Sequence, residues 1–353
     1  MLRLYQLGAD PEFLFIMSSP TGEKALFPAC DLISKNKDAA LASFIGTDNH
    51  SATAEFRPAP SHDINRIMLQ LAHGISHVED SLKLMRVPNV VMAVPPHIFQ
   101  ESLGGHIHVS FFVDDPFTRE LENSGFYLGF PGGPVPHGKG PPHAPDYNTA
   151  GVLMDTYVTR VKAKLTIGVQ EFNETMDYLF APLDFWVHDS EIRKQRMMKH
   201  GHNGPYGVPG ALDNMRPGVS ARPSRVDPAH KDHAYCHWEY RLPTVWLVHP
   251  WMAYLYLALA KRLMTNFMTV YDYRRDGHVV KFRSEVAKLI VSVTLNLEAE
   301  QLFKKRLEWF LAHSAGTSDS ADLEKAVDIV SRRWREWANR GSIYSHAWKE
   351  LLS

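Results

Sequence analysis

Cysteine is scarce: Cys30 and Cys236 are the only two in 353 residues, so at most one disulfide can form and a disulfide scaffold is excluded. That usage fits a reducing compartment, and the cytoplasm is the expected location. Neither sign of charge dominates. Thirty-eight Lys and Arg against 39 Asp and Glu leave a formal net charge of −1, without the basic excess that a nucleic-acid partner requires. Long hydrophobic runs are missing as well. The most apolar stretch, residues 245–260, is interrupted by His249-Pro250 and ends at Lys261-Arg262. A bilayer span needs roughly 20 apolar residues, so this stretch reads as a buried helix and no membrane partner is expected. The opening Met1-Leu2-Arg3-Leu4-Tyr5-Gln6 runs straight into a strand pattern and does not read as a signal peptide. No Gly-x-x-x-x-Gly-Lys-Ser/Thr loop occurs, and no Gly-x-Gly-x-x-Gly follows a strand. Those absences argue against P-loop and Rossmann enzymes. What remains is an ordinary globular composition, 44% hydrophobic and 22% charged, with histidine abundant at 19.

The informative stretches are short strands that carry acids, histidines or arginines on one face. The clearest is Gly104-Gly105-His106-Ile107-His108-Val109-Ser110-Phe111. Side chains alternate along a strand, so His106, His108 and Ser110 share one face while Ile107, Val109 and Phe111 turn to a core. Two imidazoles on one face can share a metal ion or flank a phosphate. A second stretch, Gly8-Ala9-Asp10-Pro11-Glu12-Phe13, sets Glu12 at the start of an apolar strand. In a third, Ala54-Glu55-Phe56-Arg57-Pro58, Glu55 and Arg57 share a face. A fourth, His237-Trp238-Glu239-Tyr240-Arg241-Leu242-Pro243, repeats that arrangement with Glu239 and Arg241. Any one of these pairs is also accounted for by a solvated ion pair on a sheet face, worth little by itself.

Between the strands, Ile64, Ile67, Met68, Leu71, Ile75, Val78 and Leu82 recur at helical spacing behind Ser61 as N-cap. His73 and His77 lie four apart on this helix without a third ligand and read as surface residues. Residues 151–168 have helical spacing in Val152, Leu153, Tyr157, Val161 and Leu165; residues 173–187 continue apolar with Asp177 and Asp184 embedded, and read as helical up to a break at Pro182. Residues 200–228 read as a turn-rich loop carrying Arg216, Arg222 and Arg225, where a guanidinium could grip phosphate or carboxylate. A long apolar helix from Trp246 to Tyr271, able to pack inside the fold or against a second copy, precedes amphipathic helices over 282–313 and 320–352. The expected organisation is a catalytic unit over 1–275, with a Pro/Gly-rich insertion near 114–150, and a C-terminal helical extension over 276–353 packed on it.

Taken together, Glu12, Glu55, Arg57, His106, His108, Glu239 and Arg241 form a set with its own chemistry. Carboxylates plus imidazole suit Mg²⁺ or Mn²⁺ better than a structural zinc. Arginines beside metal-binding acids suit phosphoryl chemistry, in which cations neutralise charge as the group moves.

These residues carry a resemblance. Gly8-Ala9-Asp10-Pro11-Glu12, then Gly46-Thr47-Asp48 followed by Glu55-x-Arg57-Pro58, then Gly104-Gly105-His106-Ile107-His108, and last Glu239-Tyr240-Arg241, resemble in order and spacing the phage-type carboxylate–amine ligases of the glutamine synthetase-like superfamily. Two positions depart from the pattern. Asn49 stands where the family commonly has Gly. The family's Tyr-Gly…Gly…Arg segment is matched only loosely, by Tyr206-Gly207, Gly210 and Arg216. The resemblance implies an α+β fold: a curved, mostly antiparallel sheet with helices packed on its outer face. It implies ATP-dependent amide formation through an acyl phosphate, with ATP, a carboxylate and an amine as partners. Glu12, Glu55 and Glu239 would hold Mg²⁺ or Mn²⁺. His106 or His108 would add a ligand or contact phosphate. Arg241 would stabilise the transferred phosphoryl group, Arg57 would face phosphate or the substrate carboxylate, and Arg216 would assist. Two other readings stay open: a metal-dependent hydrolase built on His-x-His and the acids, and a non-catalytic phage or binding protein on a ligase scaffold.

Overall fold

The computed structural model describes residues 2–33, 44–47, 52–86, 89–94, 103–113, 169–188, 221–224, 234–266, 270, 295–314 and 320–353. The insertion near 114–150, Arg216 and the helical pattern over 151–168 lie outside these residues. The central element is strand β1, Leu2–Ser18, which runs unbroken through Pro11. Its first half pairs antiparallel with β6, Gly105–Val113, from Leu2↔Val113 to Pro11↔Gly105. Its second half pairs with β4, Thr53–Phe56, with β5, Val90–Ala93, and with β2, Lys24–Phe27. Beyond β4 lies β3, Ile45–Thr47. Beyond β6 lie β8, Ala234–Tyr240, and β7, Ala221–Ser224. The pairings among these strands are all antiparallel, and the sheet curls into a half-barrel with helices against it. This is the α+β architecture that the resemblance implies.

Why β1 tolerates a proline follows from the alternation of its amides. The amide of Glu12 turns toward β6 and donates to the Gly104 carbonyl at 2.8 Å, so position 11 turns its nitrogen to the opposite edge. There the ladder to β4 covers only Glu12 to Leu14. Pro11 therefore sits where a missing N–H costs no sheet bond.

The apolar face of the sheet is covered by helices. Helix α2, Ile64–Leu84, buries the expected stripe from Ile64 to Leu82, and His73 and His77 are exposed. Its N-cap is Asp63 rather than Ser61. The Asp63 carboxylate accepts from the Asn65 amide at 2.9 Å, while the Ser61 hydroxyl accepts from the Asp63 amide and the Ser61 backbone bridges to Leu7. Gly74 makes this packing possible, because a Cβ there would meet the Phe44 ring at 2.3 Å. Short helix α1, Ala29–Ile33, lies between β2 and β3.

Helix α3, Val169–Val187, continues through Pro182. Proline removes the bond to the carbonyl four residues back, which is that of Tyr178. The buried Arg306 replaces the lost donor: its Nη1 donates to the Tyr178 carbonyl at 2.8 Å. Asp177 and Asp184 on this helix are fully buried and bind neighbouring elements. Asp177 accepts from the Tyr240 hydroxyl. Asp184 accepts from the Thr244 amide and hydroxyl at 2.9 and 2.8 Å and from the Tyr256 hydroxyl at 3.0 Å. The back of β8 is thus pinned by buried carboxylates, each with its partners, as burial of charge demands.

The apolar helix after Trp246 is α4, Pro250–Thr265, shorter than the span expected, with His249 as N-cap and Pro250 at its first position. Two further helices, α5, Leu295–His313, and α6, Ser320–Arg340, are followed after Gly341 by the short α7, Ser345–Lys349. The single helix expected over 320–352 is broken because Gly341 adopts a positive φ of 64°. The chain after it bonds back to β5, through Val94 N to Gly341 O at 3.0 Å and Ile343 N to Met92 O at 3.2 Å. No helix among the described residues is long and apolar enough to cross a membrane.

Candidate functional site

The pairing registers draw the singled-out residues into one row across the strands. Glu55 on β4 stands opposite Gly46 on β3 and opposite Glu12 on β1. Asp10 stands opposite His106 on β6. Gly8 stands opposite His108, which in turn stands opposite Glu239 on β8 and, beyond it, Arg222 on β7. Cross-strand partners lie about 4.5–5.5 Å apart on a common face, so the strand order itself assembles the site. Odd-numbered Phe13 on β1 faces the other way and stacks on Phe56, with centroids 4.5 Å apart.

Glu12 and Glu55 are 6% and 8% exposed, a buried pair of like charges facing each other across two strands. Such a pair costs free energy unless compensated. Two compensations are present. The Gly104 amide donates to Glu12 Oε2 at 2.5 Å, and Arg57 Nε donates to Glu55 Oε1 at 2.5 Å. Arg57 follows the last residue of β4, and its half-exposed guanidinium folds back over Glu55. It has room because position 46 is glycine: a Cβ there would lie 2.2 Å from the Arg57 Cζ.

Asp10 connects the two histidines. Its Oδ1 lies 3.2 Å from His106 Nδ1, and its Oδ2 lies 3.0 Å from His108 Nε2. Burial raises the Asp10 pKa, but the two imidazoles more than reverse that and hold its carboxyl well below the usual range. His106, 3% exposed, has its other nitrogen, Nε2, 3.9 Å from Glu12 Oε1.

Asp10 is the residue that reading the strands one motif at a time leaves out. The signal for it was parity: once β1 is continuous through Pro11, Asp10 and Glu12 share a face. Of the other expected site residues, Glu239 is placed by register beside His108, and Arg241, partly buried, follows the end of β8. Arg216 lies outside the described residues. The loop expected over 200–228 contains the strand β7, which brings Arg222 into register with Glu239.

Hard oxygen donors with one imidazole beside them fit Mg²⁺ or Mn²⁺. Among the described residues no three His, Cys, Asp or Glu side chains converge closely enough to hold an ion. The Glu239 side chain is not among those described. Ligands about 2.1 Å from one ion stand at most about 4.2 Å apart, and the 3.9 Å between His106 Nε2 and Glu12 Oε1 lies within that reach. A cavity of about 670 Å³ opens elsewhere, between the start of α2, α4 and α6, and none of the row's residues lines it.

Comparison with known proteins agrees with the residue pattern. The family described as Phage phiEco32-like COOH.NH2 ligase-type 2 matches residues 7–132. The matched segment is about a third of the chain. It includes Asp10, Glu12, Glu55, Arg57, His106 and His108, while Glu239 and Arg241 lie beyond it. No curated protein matches the chain. Among solved structures, a bifunctional glutathione synthetase from Pasteurella multocida aligns over 98% of this chain and 52% of its own, at 10% identity and a TM-score of 0.44. GmaS without ligand aligns over 100% of this chain and 73% of its own, at 12% identity and a TM-score of 0.39. The chain spans about half the length of that glutathione synthetase.

Proposed function

We infer that the chain is an ATP-dependent carboxylate–amine ligase. The observation that carries this reading is the cross-strand row, Glu55–Glu12, Asp10–His106 and His108–Glu239, set on one sheet within and just beyond the segment that matches the ligase family. In the proposed reaction a substrate carboxylate oxygen attacks the γ-phosphorus of ATP, ADP leaves, and an acyl phosphate forms. An amine then attacks the acyl carbon, inorganic phosphate leaves, the nitrogen loses a proton, and an amide remains. The substrates are an amino acid, a peptide or a related small molecule, and the setting is the cytoplasm.

Each residue has a part in this scheme. Glu12, Glu55, Glu239 and His106 would hold Mg²⁺ or Mn²⁺, which supplies positive charge to the phosphate oxygens. Arg241 stabilises the transferred phosphoryl group. Arg57, half-exposed beside Glu55, receives phosphate or the substrate carboxylate, and Arg216 assists. Catalysis of this kind is mostly positioning and charge neutralisation, and a sheet pinned from behind by Asp177 and Asp184 provides a rigid base for it. The catalytic unit comprises residues 1–275, and 276–353 form the helical extension.

The test is calorimetric binding of a non-hydrolysable ATP analogue, with and without Mg²⁺, to the wild type and Glu239→Ala. Metal-dependent binding by the wild type, lost in the variant, supports the ligase and leads to screening of carboxylate–amine pairs by ADP release. No binding by the wild type with any divalent metal refutes it.

A further inference from the structure

The cavity of about 670 Å³ between the start of α2, α4, α6 and α7 has a chemistry of its own, and none of the row's residues takes part in it. Its volume lies in the range of small-ligand pockets. Helices α4 and α6 form its long sides and run antiparallel. His249 at the start of α4 stacks on Trp337 near the end of α6 at 4.1 Å, and Arg262 Nη1 near the end of α4 donates to Ser320 Oγ at the start of α6 at 2.7 Å. Lys261 on α4 and Asp322 on α6 both line the cavity, so they stand on facing helices at the same end of it.

The other charged side chains of the lining are engaged. Asp63 accepts from the Asn65 amide at 2.9 Å, Arg333 donates to both Glu336 oxygens at 2.6 and 2.9 Å, and Glu350 Oε1 lies 3.3 Å from His346 Nε2. Lys261 and Asp322 differ. Among the described residues neither side chain has a hydrogen-bond or ion-pair partner. Half-buried Lys261 thus gives up part of its hydration with nothing returned. A cation and an anion that face each other without pairing leave a place for a molecule that carries both signs close together. The head group of a free α-amino acid does so, with its ammonium and carboxylate on one carbon.

The wall next to that end is aromatic. Tyr254 precedes Lys261 by seven residues on the same side of α4, about 10 Å along the helix axis, and the Trp251 ring meets it edge-on at 6.2 Å. Ile329 lines the opposite side from α6 and Met68 the floor from α2. A head group between Lys261 and Asp322 therefore lays its own side chain on a broad apolar surface, which a large ring covers and a methyl group does not.

We propose that this cavity binds a free aromatic α-amino acid, its carboxylate on Lys261, its ammonium on Asp322 and its ring against Tyr254, Trp251 and Ile329. The site stands apart from the cross-strand row and does not depend on the ligase reading.

The experiment is calorimetric titration of the full chain with L-tryptophan, L-tyrosine and L-phenylalanine, without nucleotide or metal. At least one should bind in the millimolar range or tighter, one molecule per chain, and L-alanine should not. For the tightest of the three, the amine that lacks the carboxylate and the acid that lacks the ammonium should each bind the wild type about tenfold more weakly or worse, the loss of one charge-assisted hydrogen bond. Lys261→Met and Asp322→Asn should weaken the amino acid to a similar degree, and Arg57→Ala, in the row, should leave it within about twofold. Melting of each variant without ligand checks that it is folded, and the analogue series on the wild type needs no variant. No binding of any of the three at millimolar concentration overturns the proposal. Equal affinity for the amino acid and both analogues does so too, as does a loss in Arg57→Ala with Lys261→Met unaffected.

Discussion

Gly46→Ala separates stability from activity at this site, and the reason is geometric. A Cβ at position 46 would lie 2.2 Å from Arg57 Cζ, 2.4 Å from Nη2 and 2.5 Å from Nη1. These are the far end of a flexible side chain that is half exposed, so the guanidinium can swing into solvent and leave the backbone in place. The fold loses the Glu55–Arg57 ion pair and the long Arg57 Nη2 bond to the Thr47 carbonyl at 3.5 Å. Glu55 then stays buried opposite Glu12 without its guanidinium, which costs about 1–3 kcal/mol, so the melting temperature should fall by several degrees. The activity has more to lose, because Arg57 is displaced from phosphate or carboxylate. Displacement of a charged group from its reacting position costs on the order of 10²-fold. We expect kcat/KM for ADP release to fall about 10- to 100-fold in Gly46→Ala, to a similar extent in Arg57→Ala, and no further in the double variant. Mapping of phenylglyoxal modification should show faster reaction at Arg57 in Gly46→Ala, a readout that does not depend on activity. If the two losses multiply in the double variant, or Gly46→Ala keeps activity within twofold, then position 46 does not seat Arg57 and the reasoning is wrong.

Two further predictions concern the scaffold. Arg306→Met should lower unfolding free energy by about 2 kcal/mol, because it removes a donor from the buried Tyr178 carbonyl. Adding Pro182→Ala should recover part of that loss by restoring a backbone N–H four residues on; if Pro182→Ala is no more stabilising in Arg306→Met than in the wild type, the carbonyl is not the cause. His249, stacked on Trp337 at 4.1 Å and accepting from the Trp251 amide through Nδ1, has its pKa pushed down to about 4 by burial and by Arg333. A depressed histidine binds fewer protons folded than unfolded, so its contribution is full above about pH 6.5 and is lost as pH falls toward 4. Allowing for partial solvent screening this amounts to about 2 kcal/mol, and urea unfolding from pH 7 to 4 should show a flatter profile in His249→Asn, which keeps a capping side chain without the titration.

Much of the site was legible because strand alternation is a rigid rule. Glu12, Glu55, His106 and His108 could be assigned to faces two residues at a time, and the pairing registers then needed only to bring those faces together. Asp10 was hidden by Pro11. Proline reads as the start of a strand when the pairing on both edges is unknown, and only the short ladder of β4 shows that its nitrogen faces an edge with no bond to lose. The break expected at Pro182 failed for a related reason. The local rule was sound, since Tyr178 does lose its helical donor, but a replacement arrives from Arg306, far along the chain. Ser61 and Asp63 competed for one cap, and the difference lay in the bridge from Ser61 to Leu7, a long-range contact.

The same distinction explains why the site's arginines were harder to read than its acids. A carboxylate on a strand is fixed by a short side chain, so parity places it within a few ångströms. An arginine reaches several ångströms beyond its Cα, and where it ends depends on what its neighbours leave open. Arg57 leaves the ladder after Phe56, yet its guanidinium returns over Glu55 because Gly46 has no side chain. Gly46 was part of the recognised motif, but a motif alone does not say whether its glycine serves a turn, a close backbone approach or, as here, a neighbouring cation. The cross-strand register decides it, by setting Gly46 opposite Glu55. Sequence motifs of this kind therefore encode pairs of positions: the residue that does the chemistry and the absent side chain that gives it room.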